Sequence, residues 1–304
     1  MMKIRIGTRS SDLAISQSKT VANSLLDMGY QSQLITIDTA GDLSDETTFS
    51  NIGPIGVFVK EIENALIDGE IDLAVHSLKD LPTVSPKELT IAAISERVDP
   101  ADIIISNKNY YDNSLGLIPL KEGSVVGTSS ARRKSWLRHF RKDLKIKPIR
   151  GNVPTRIKKI NQGYDAIVLA NAGVKRLLDD GFDLNLDEFS VTRLDPEEFI
   201  PAPAQGAIAL QCLKGNKNLS KVIKNIADID STKDINLERL LLAQFEGGCE
   251  LPFGAYCRSP KGDTGDINLF ARLELDKELI EARVSGKNRQ IIFKKAMEIL
   301  TNYE

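Results

Sequence analysis

Cysteine is scarce and irregular in this chain: Cys212, Cys249 and Cys257 are an odd number with no CxxC pair, so a disulfide framework is not expected. Histidine is scarcer still. His76 and His139 stand far apart, and the ligand spacings of a structural zinc site are missing, so no metal is expected. No run approaches the roughly 20 apolar residues of a membrane span. The opening MMKIRIGTRSSDLAISQ has no apolar stretch like that of a signal peptide, and a cytoplasmic location is the expectation. A net charge of -2 and a pI near 5.9 provide no overall basic field for nucleic acid, so any anion binding must be local. No internal repeat or low-complexity tract is evident.

What is present is the composition of a globular protein, with 41% hydrophobic and 27% charged residues. A chain of 304 residues exceeds one ordinary domain and points to two or three. Short apolar runs alternate with helical patterns: KIRIGT, residues 12–28, QLITID, residues 58–68, IDLAVHS, then DIIIS, SVVGT, IKPIRG and DAIVLA. Such alternation predicts α/β layers. The division expected is an α/β domain of residues 1–97 with 199–217 returning to it, a second α/β domain of residues 101–195, and a smaller C-terminal α+β domain of residues 219–304. In that last part, helices over 219–228 and 233–246 precede strand-like stretches and a final helix from about residue 287.

IDLAVHS reads as a buried strand, because Ile71, Leu73, Ala74 and Val75 leave no polar face. Leu78-Lys79-Asp80-Leu81-Pro82 then lies at its carboxyl end, the edge where open α/β sheets bind ligands. SVVGTSSARR and DAIVLANAG follow the same rule, so several strand ends are expected to converge on one cleft. Ser129 or Ser130 caps a helix that begins with Arg132 and Arg133, offering N–H groups and forked cations to an anion. The plainer alternative is a capped helix with a solvated basic face. Arg9, Arg150, Arg156 and Arg176 also fall near strand ends, and together they imply a ligand with several carboxylates or phosphates. Asp80 is either a turn former before Leu-Pro or an anion that stabilises a cationic intermediate and moves protons. Cys249, flanked by Gly247, Gly248 and Pro252, is either a small buried hydrophobe or an accessible attachment point.

Taken in order, RIGTRSSDLAISQ, GEIDLAVHSLKDLPT, GTSSARR, RGNVPTR, YDAIVLANAGVKRL, PAPAQGAIAL and EGGCELPFGAY resemble the hydroxymethylbilane synthase (porphobilinogen deaminase) family over nearly the whole chain. The resemblance implies two periplasmic-binding-protein-like α/β domains with the site between them and a C-terminal α+β domain carrying the cofactor cysteine. It implies a monomeric transferase of porphyrin biosynthesis that condenses four porphobilinogen molecules, losing ammonia each time, on a dipyrromethane primer. Hydrolysis then releases the linear tetrapyrrole. Cys249 matches the cysteine that bears the dipyrromethane by a thioether, and Asp80 the catalytic aspartate. On the cofactor side the resemblance places Lys79, Ser77, Thr128, Ser129, Ser130, Arg132, Arg133, Asp42, Gln205 and Gly206. On the substrate side it places Arg9, Ser11, Gln17, Arg150, Arg156 and Arg176.

The chain departs from the family pattern at Gly53-Pro54-Ile55-Gly56-Val57-Phe58, where GGKGLF is usual, and at Asp12, Ala40 and Pro154. Two other functions compete. A non-catalytic binding protein explains the arginines but not Cys249 with Asp80, and a thiol-dependent hydrolase lacks a base beside Cys249.

Overall fold

The Gly-Thr pairs that end the KIRIGT and SVVGT runs occupy equivalent places in two separate sheets. The computed structural model describes residues 3–38, 59–245 and 251–302. In the first part of the chain the strands are β1 (Ile4–Thr8), β2 (Ser32–Thr36), β3 (Leu73–Ser77) and β4 (Leu89–Ile94), with helices α1 (Asp12–Asp27) and α2 (Lys60–Ile67) between them. Next come β5 (Asp102–Asn107), β6 (Val125–Gly127), β7 (Lys145–Lys147), β8 (Ala166–Ala170) and β9 (Phe189–Arg193), with α3 (Ala131–Phe140), α4 (Val153–Lys158) and α5 (Asn171–Asp179). The chain then runs through β10 (Ile208–Leu213), α6 (Lys217–Ile223), α7 (Ile229–Leu242), β11 (Phe253–Arg258), β12 (Ile267–Leu275), β13 (Glu278–Gly286) and α8 (Arg289–Thr301). Among the described residues no helix is long and apolar enough to cross a membrane.

The chain divides into two compact units, Met1–Val98 with Ala207–Asn236 and Asp99–Gly206 with Leu237–Glu304. The sheet of the first unit has the order β2-β1-β3-β10-β4, with β10 antiparallel to both neighbours and β1 parallel to β2 and β3. The second unit's larger sheet repeats that scheme as β7-β6-β8-β5-β9, with β5 as its antiparallel strand. The topology is a repeat that the sequence does not display.

Strand β3 is buried on both faces, as its apolar run predicts. Leu73 and Val75 pack with Val21 and Leu25 of α1, while Ala74 meets Ile62 and Leu66 of α2 on the other face. Cys212 of β10 is part of the first of these cores and is fully buried, so it serves as a small hydrophobe.

The glycines of the two Gly-Thr pairs sit where no side chain fits. A methyl at Gly7 would run into Ile71, and at Gly127 it would lie 2.9 Å from Tyr164 and 3.1 Å from Ile149. Gly127→Ala is therefore expected to cost about 1–3 kcal/mol by overpacking, read as a lower urea midpoint.

The C-terminal part forms a three-stranded antiparallel sheet, β11-β12-β13. Ile292, Ala296 and Leu300, spaced one turn apart on α8, pack on Leu269, Ala271, Leu273, Ala282 and Val284. Arg272 on β12 pairs with Glu281, donates to the Glu198 carbonyl at 2.9 Å, and stacks 5.4 Å from Trp136 and 5.2 Å from Phe140 of α3. Cys257 on β11 is buried, and its N–H donates to Glu238 at 2.7 Å. The helix expected from residue 233 begins at Ile229, because the Asp228 side chain accepts from the Ser231 N–H at 2.7 Å and starts it earlier.

Candidate active site

In the first unit, parallel pairing of β1 with β3 aligns Gly7 with Ala74, so Arg9 and Ser77 emerge at the same edge of the sheet. A 3-10 turn, Leu78–Asp80, follows β3. Leu78 and Leu81 are buried and the Leu78 N–H donates to the Ala207 carbonyl at 3.1 Å, which turns Asp80 outward and leaves Lys79 half-buried. The Leu-Lys-Asp-Leu spacing thus exposes a carboxylate on a rigid base.

Asp80, Arg9, Ser11, Gln17, His76 and Ser77 line one small cavity of about 100 Å³. Gln17 is buried on α1, and its carboxamide is hydrogen-bonded to the Ser77 hydroxyl at 2.8 Å. Behind them His76 Nε2 meets Gln211 Oε1 at 3.0 Å, and Gln211 Nε2 donates to Glu63 at 2.8 Å. Burial lowers the His76 imidazole to about 4, offset only in part by the hydrogen bond to Gln211. Burial likewise raises the Glu63 carboxyl, against the Gln211 hydrogen bond.

In the second unit, Thr128 is buried after β6, and its side-chain oxygen accepts from the Ser130 N–H at 3.3 Å. Of the two cap candidates, Ser130 caps α3, accepting from the Arg133 N–H at 3.4 Å; Ser129 instead bonds to the Ile149 carbonyl at 2.8 Å.

Arg132 and Arg133, expected on a ligand's carboxylates or as a solvated basic face, are buried and hold a carboxylate of the protein itself. Asp102, fully buried at the head of β5, accepts from Arg132 at 2.8 Å and from Arg133 at 2.7 Å. Gln205, also expected on the cofactor side, donates to Asp102 at 2.9 Å and to the Pro100 carbonyl at 2.7 Å. Arg132 further donates to the Ile200 carbonyl and Arg133 to the Val168 carbonyl. Their Nε atoms are buried and unpartnered among the described residues. Burial acts to raise the Asp102 carboxyl; the charges of Arg132 and Arg133 and the hydrogen bonds outweigh it and hold the group well below the usual carboxylate range. The helix start is thus a buried ion-pair network that fixes the strand-end backbone.

The outer cations are Arg150, exposed, and Arg156 and Arg176, half-buried. Arg156 follows the Asn152 cap of α4 and donates to the Gly151 carbonyl at 2.7 Å. Arg176 on α5 donates to the carbonyl of Gly206, whose φ of 99° is one that glycine tolerates. Burial lowers Arg176 to about 10, which leaves it cationic near neutral pH but poorly solvated. Asp42, Cys249 and the Gly53 to Phe58 loop, with Ala40, lie outside the described residues.

Asp102 and the chain His76–Gln211–Glu63 were not singled out from sequence. An acid heading the apolar strand DIIIS was the available signal for Asp102. For His76 and Gln211 there was none, since 135 positions separate them.

A family model described as "Porphobilinogen deaminase, dipyromethane cofactor binding domain" matches residues 4–221. Among curated relatives, the porphobilinogen deaminase of Oceanobacillus iheyensis is 40% identical over 307 residues, 99% of this chain and 94% of that one. That of Mycobacterium leprae is 41% identical over 273 residues, 90% of this chain and 82% of that one. That of Bacillus cereus strain G9842 is 38% identical over 291 residues, 95% of this chain and 91% of that one. Among solved structures, the Bordetella pertussis BvgS periplasmic VFT2 domain aligns with a TM-score of 0.42 at 16% identity, over 73% of this chain and 86% of that one.

Proposed function

Because the chain belongs to the porphobilinogen deaminase family, we propose that it condenses four porphobilinogen molecules, with loss of ammonia from each, on a dipyrromethane bound through Cys249. Hydrolysis then releases the linear hydroxymethylbilane for porphyrin biosynthesis, which makes the enzyme a transferase. It is taken to act as a monomer in the cytoplasm. The observation that carries this function is the exposed carboxylate of Asp80, held on a rigid turn at the end of a strand buried on both faces and sharing a cavity with Arg9, Ser77 and Gln17.

The donor set fits an anionic oligopyrrole. Each pyrrole unit brings an acetate and a propionate, and guanidinium forks are the donors that match carboxylates best. Arg150, Arg156 and Arg176 would hold these groups, and the incomplete solvation of Arg176 strengthens its attraction for a carboxylate. Lys79, Ser129 and Ser130 would hold the cofactor's side chains. Arg132, Arg133 and Gln205 act from beneath, through Asp102, by fixing the backbone that carries the serines. When bound, the dipyrromethane supplies a nucleophilic pyrrole carbon. Asp80 faces the positive charge that develops on the pyrrole nitrogen as ammonia departs, and accepts the proton later shed from carbon. Arg9 and Ser11 orient the incoming pyrrole, while Gln17 holds Ser77 in place.

Cys249→Ser is expected to leave the chain without primer and without turnover. The check is the denatured intact mass of protein from a host that makes porphobilinogen, with peptide mapping of the Cys249 loop. Wild type should carry two linked pyrrole units there and the variant none; primer on the variant would remove Cys249 from this role.

A further inference from the structure

His76 lines the cavity beside Asp80 and has no part in the chemistry described so far. Its tautomer follows from its partners. A carboxylate only accepts hydrogen bonds, so Glu63 draws the NH2 of Gln211 to its side, and the Gln211 carbonyl faces His76. Nε2 of His76 therefore carries the proton, and Nδ1 keeps a lone pair. Among the described residues Nδ1 has no hydrogen-bond partner. His76 is among the residues that line this cavity, where Asp80, Ser77 and Gln17 also supply acceptors and Arg9 is the described cation. Such a lining suits a cationic group rich in N–H.

Resting on the activity proposed above, we propose that His76 Nδ1 accepts a hydrogen bond from the protonated aminomethyl group of incoming porphobilinogen and holds it beside Asp80 until it leaves. In that step the C–N bond breaks and its electron pair departs on nitrogen as neutral ammonia. The ring nitrogen's lone pair fills the place left at carbon, so the positive charge passes to the ring, toward Asp80. The amine must stay fully protonated until the bond breaks. An imidazolium at this position would repel the ammonium and neutralise Asp80. Burial keeps the ring neutral, and among the described residues the charged groups around it are Glu63 on α2, reached through Gln211, with Arg9 and Asp80 at the cavity.

The chain has only two histidines, so holoenzyme carrying isotopically labelled histidine yields two imidazoles to assign by nitrogen NMR. The His76 ring should remain the neutral Nε2–H form from about pH 5.5 to 8, and saturating porphobilinogen should move its Nδ1 resonance. His76→Leu should lower kcat by about 10- to 100-fold, the effect of one hydrogen bond to a charged group. His76→Asn, which keeps an acceptor near the Nδ1 position, should recover most of that loss. Primer mass and urea midpoint control for folding. An Nδ1–H tautomer, an Nδ1 resonance that porphobilinogen leaves unmoved, or equal losses in the leucine and asparagine variants would overturn the proposal. A wild type that binds no primer and turns nothing over would instead sink the function itself.

Discussion

Asp80→Ala is expected to lower kcat at least about a thousandfold, the scale of losing a preorganised charge aimed at a developing one. The side chain is exposed and its turn is held by Leu78, Leu81 and the Ala207 carbonyl, none of which the substitution touches. Stability should therefore change by no more than about 0.5 kcal/mol. Asp80→Asn keeps the shape and removes the charge, so it should lose nearly as much as alanine if charge is what matters. Rates from porphobilinogen consumption, set beside urea midpoints and the primer mass, separate a chemical defect from a folding one. Turnover within tenfold of wild type in either variant would remove Asp80 from the mechanism.

The second large effect is structural. Asp102→Ala leaves the guanidinium groups of Arg132 and Arg133, 5% and 7% exposed, without their counter-ion. Stranding one partner of a buried ion pair costs about 3–5 kcal/mol, and here two cations lose the same carboxylate. A drop of that size in unfolding free energy is the expected result, with loss of turnover following from movement of the Ser129–Ser130 backbone. Asp102→Asn should cost less, because an amide still accepts from a guanidinium. The pH dependence has a defined sign. The folded pKa of Asp102 is depressed, so its contribution is present above the unfolded value of about 3.9 and drains away as pH falls below it. Urea midpoints of wild type should fall more steeply than those of Asp102→Asn as the pH is taken below about 4. Parallel slopes would mean that Asp102 is not the titrating group.

Much of the fold was legible because its signals are local. The run Leu73-Ala74-Val75 predicts a strand buried on both faces, and the structure buries it between α1 and α2. The residues at strand ends were legible for the same reason, since a strand-to-turn boundary fixes which residues stand at the edge. Strands β4 and β9 were missed, whereas β2 and β7, equally outermost, were read from QLITID and IKPIRG. The sequence predicts two α/β domains with residues 199–217 returning to the first; the shared strand order of the two sheets became visible only in the structure, because strand order depends on pairing between residues distant in the chain.

By itself the sequence determined the family and the α/β class, and it singled out Asp80 and Cys249 for the roles proposed above. Only the tertiary structure decided that Arg132 and Arg133 spend their charge on Asp102, and that a buried His76 meets Gln211, which in turn donates to Glu63. The physical reason is the same in both cases. A side chain's chemical type is local, whereas the carboxylate that pairs with it and the burial that sets its protonation come from residues distant in the chain, and folding alone brings them within hydrogen-bond reach.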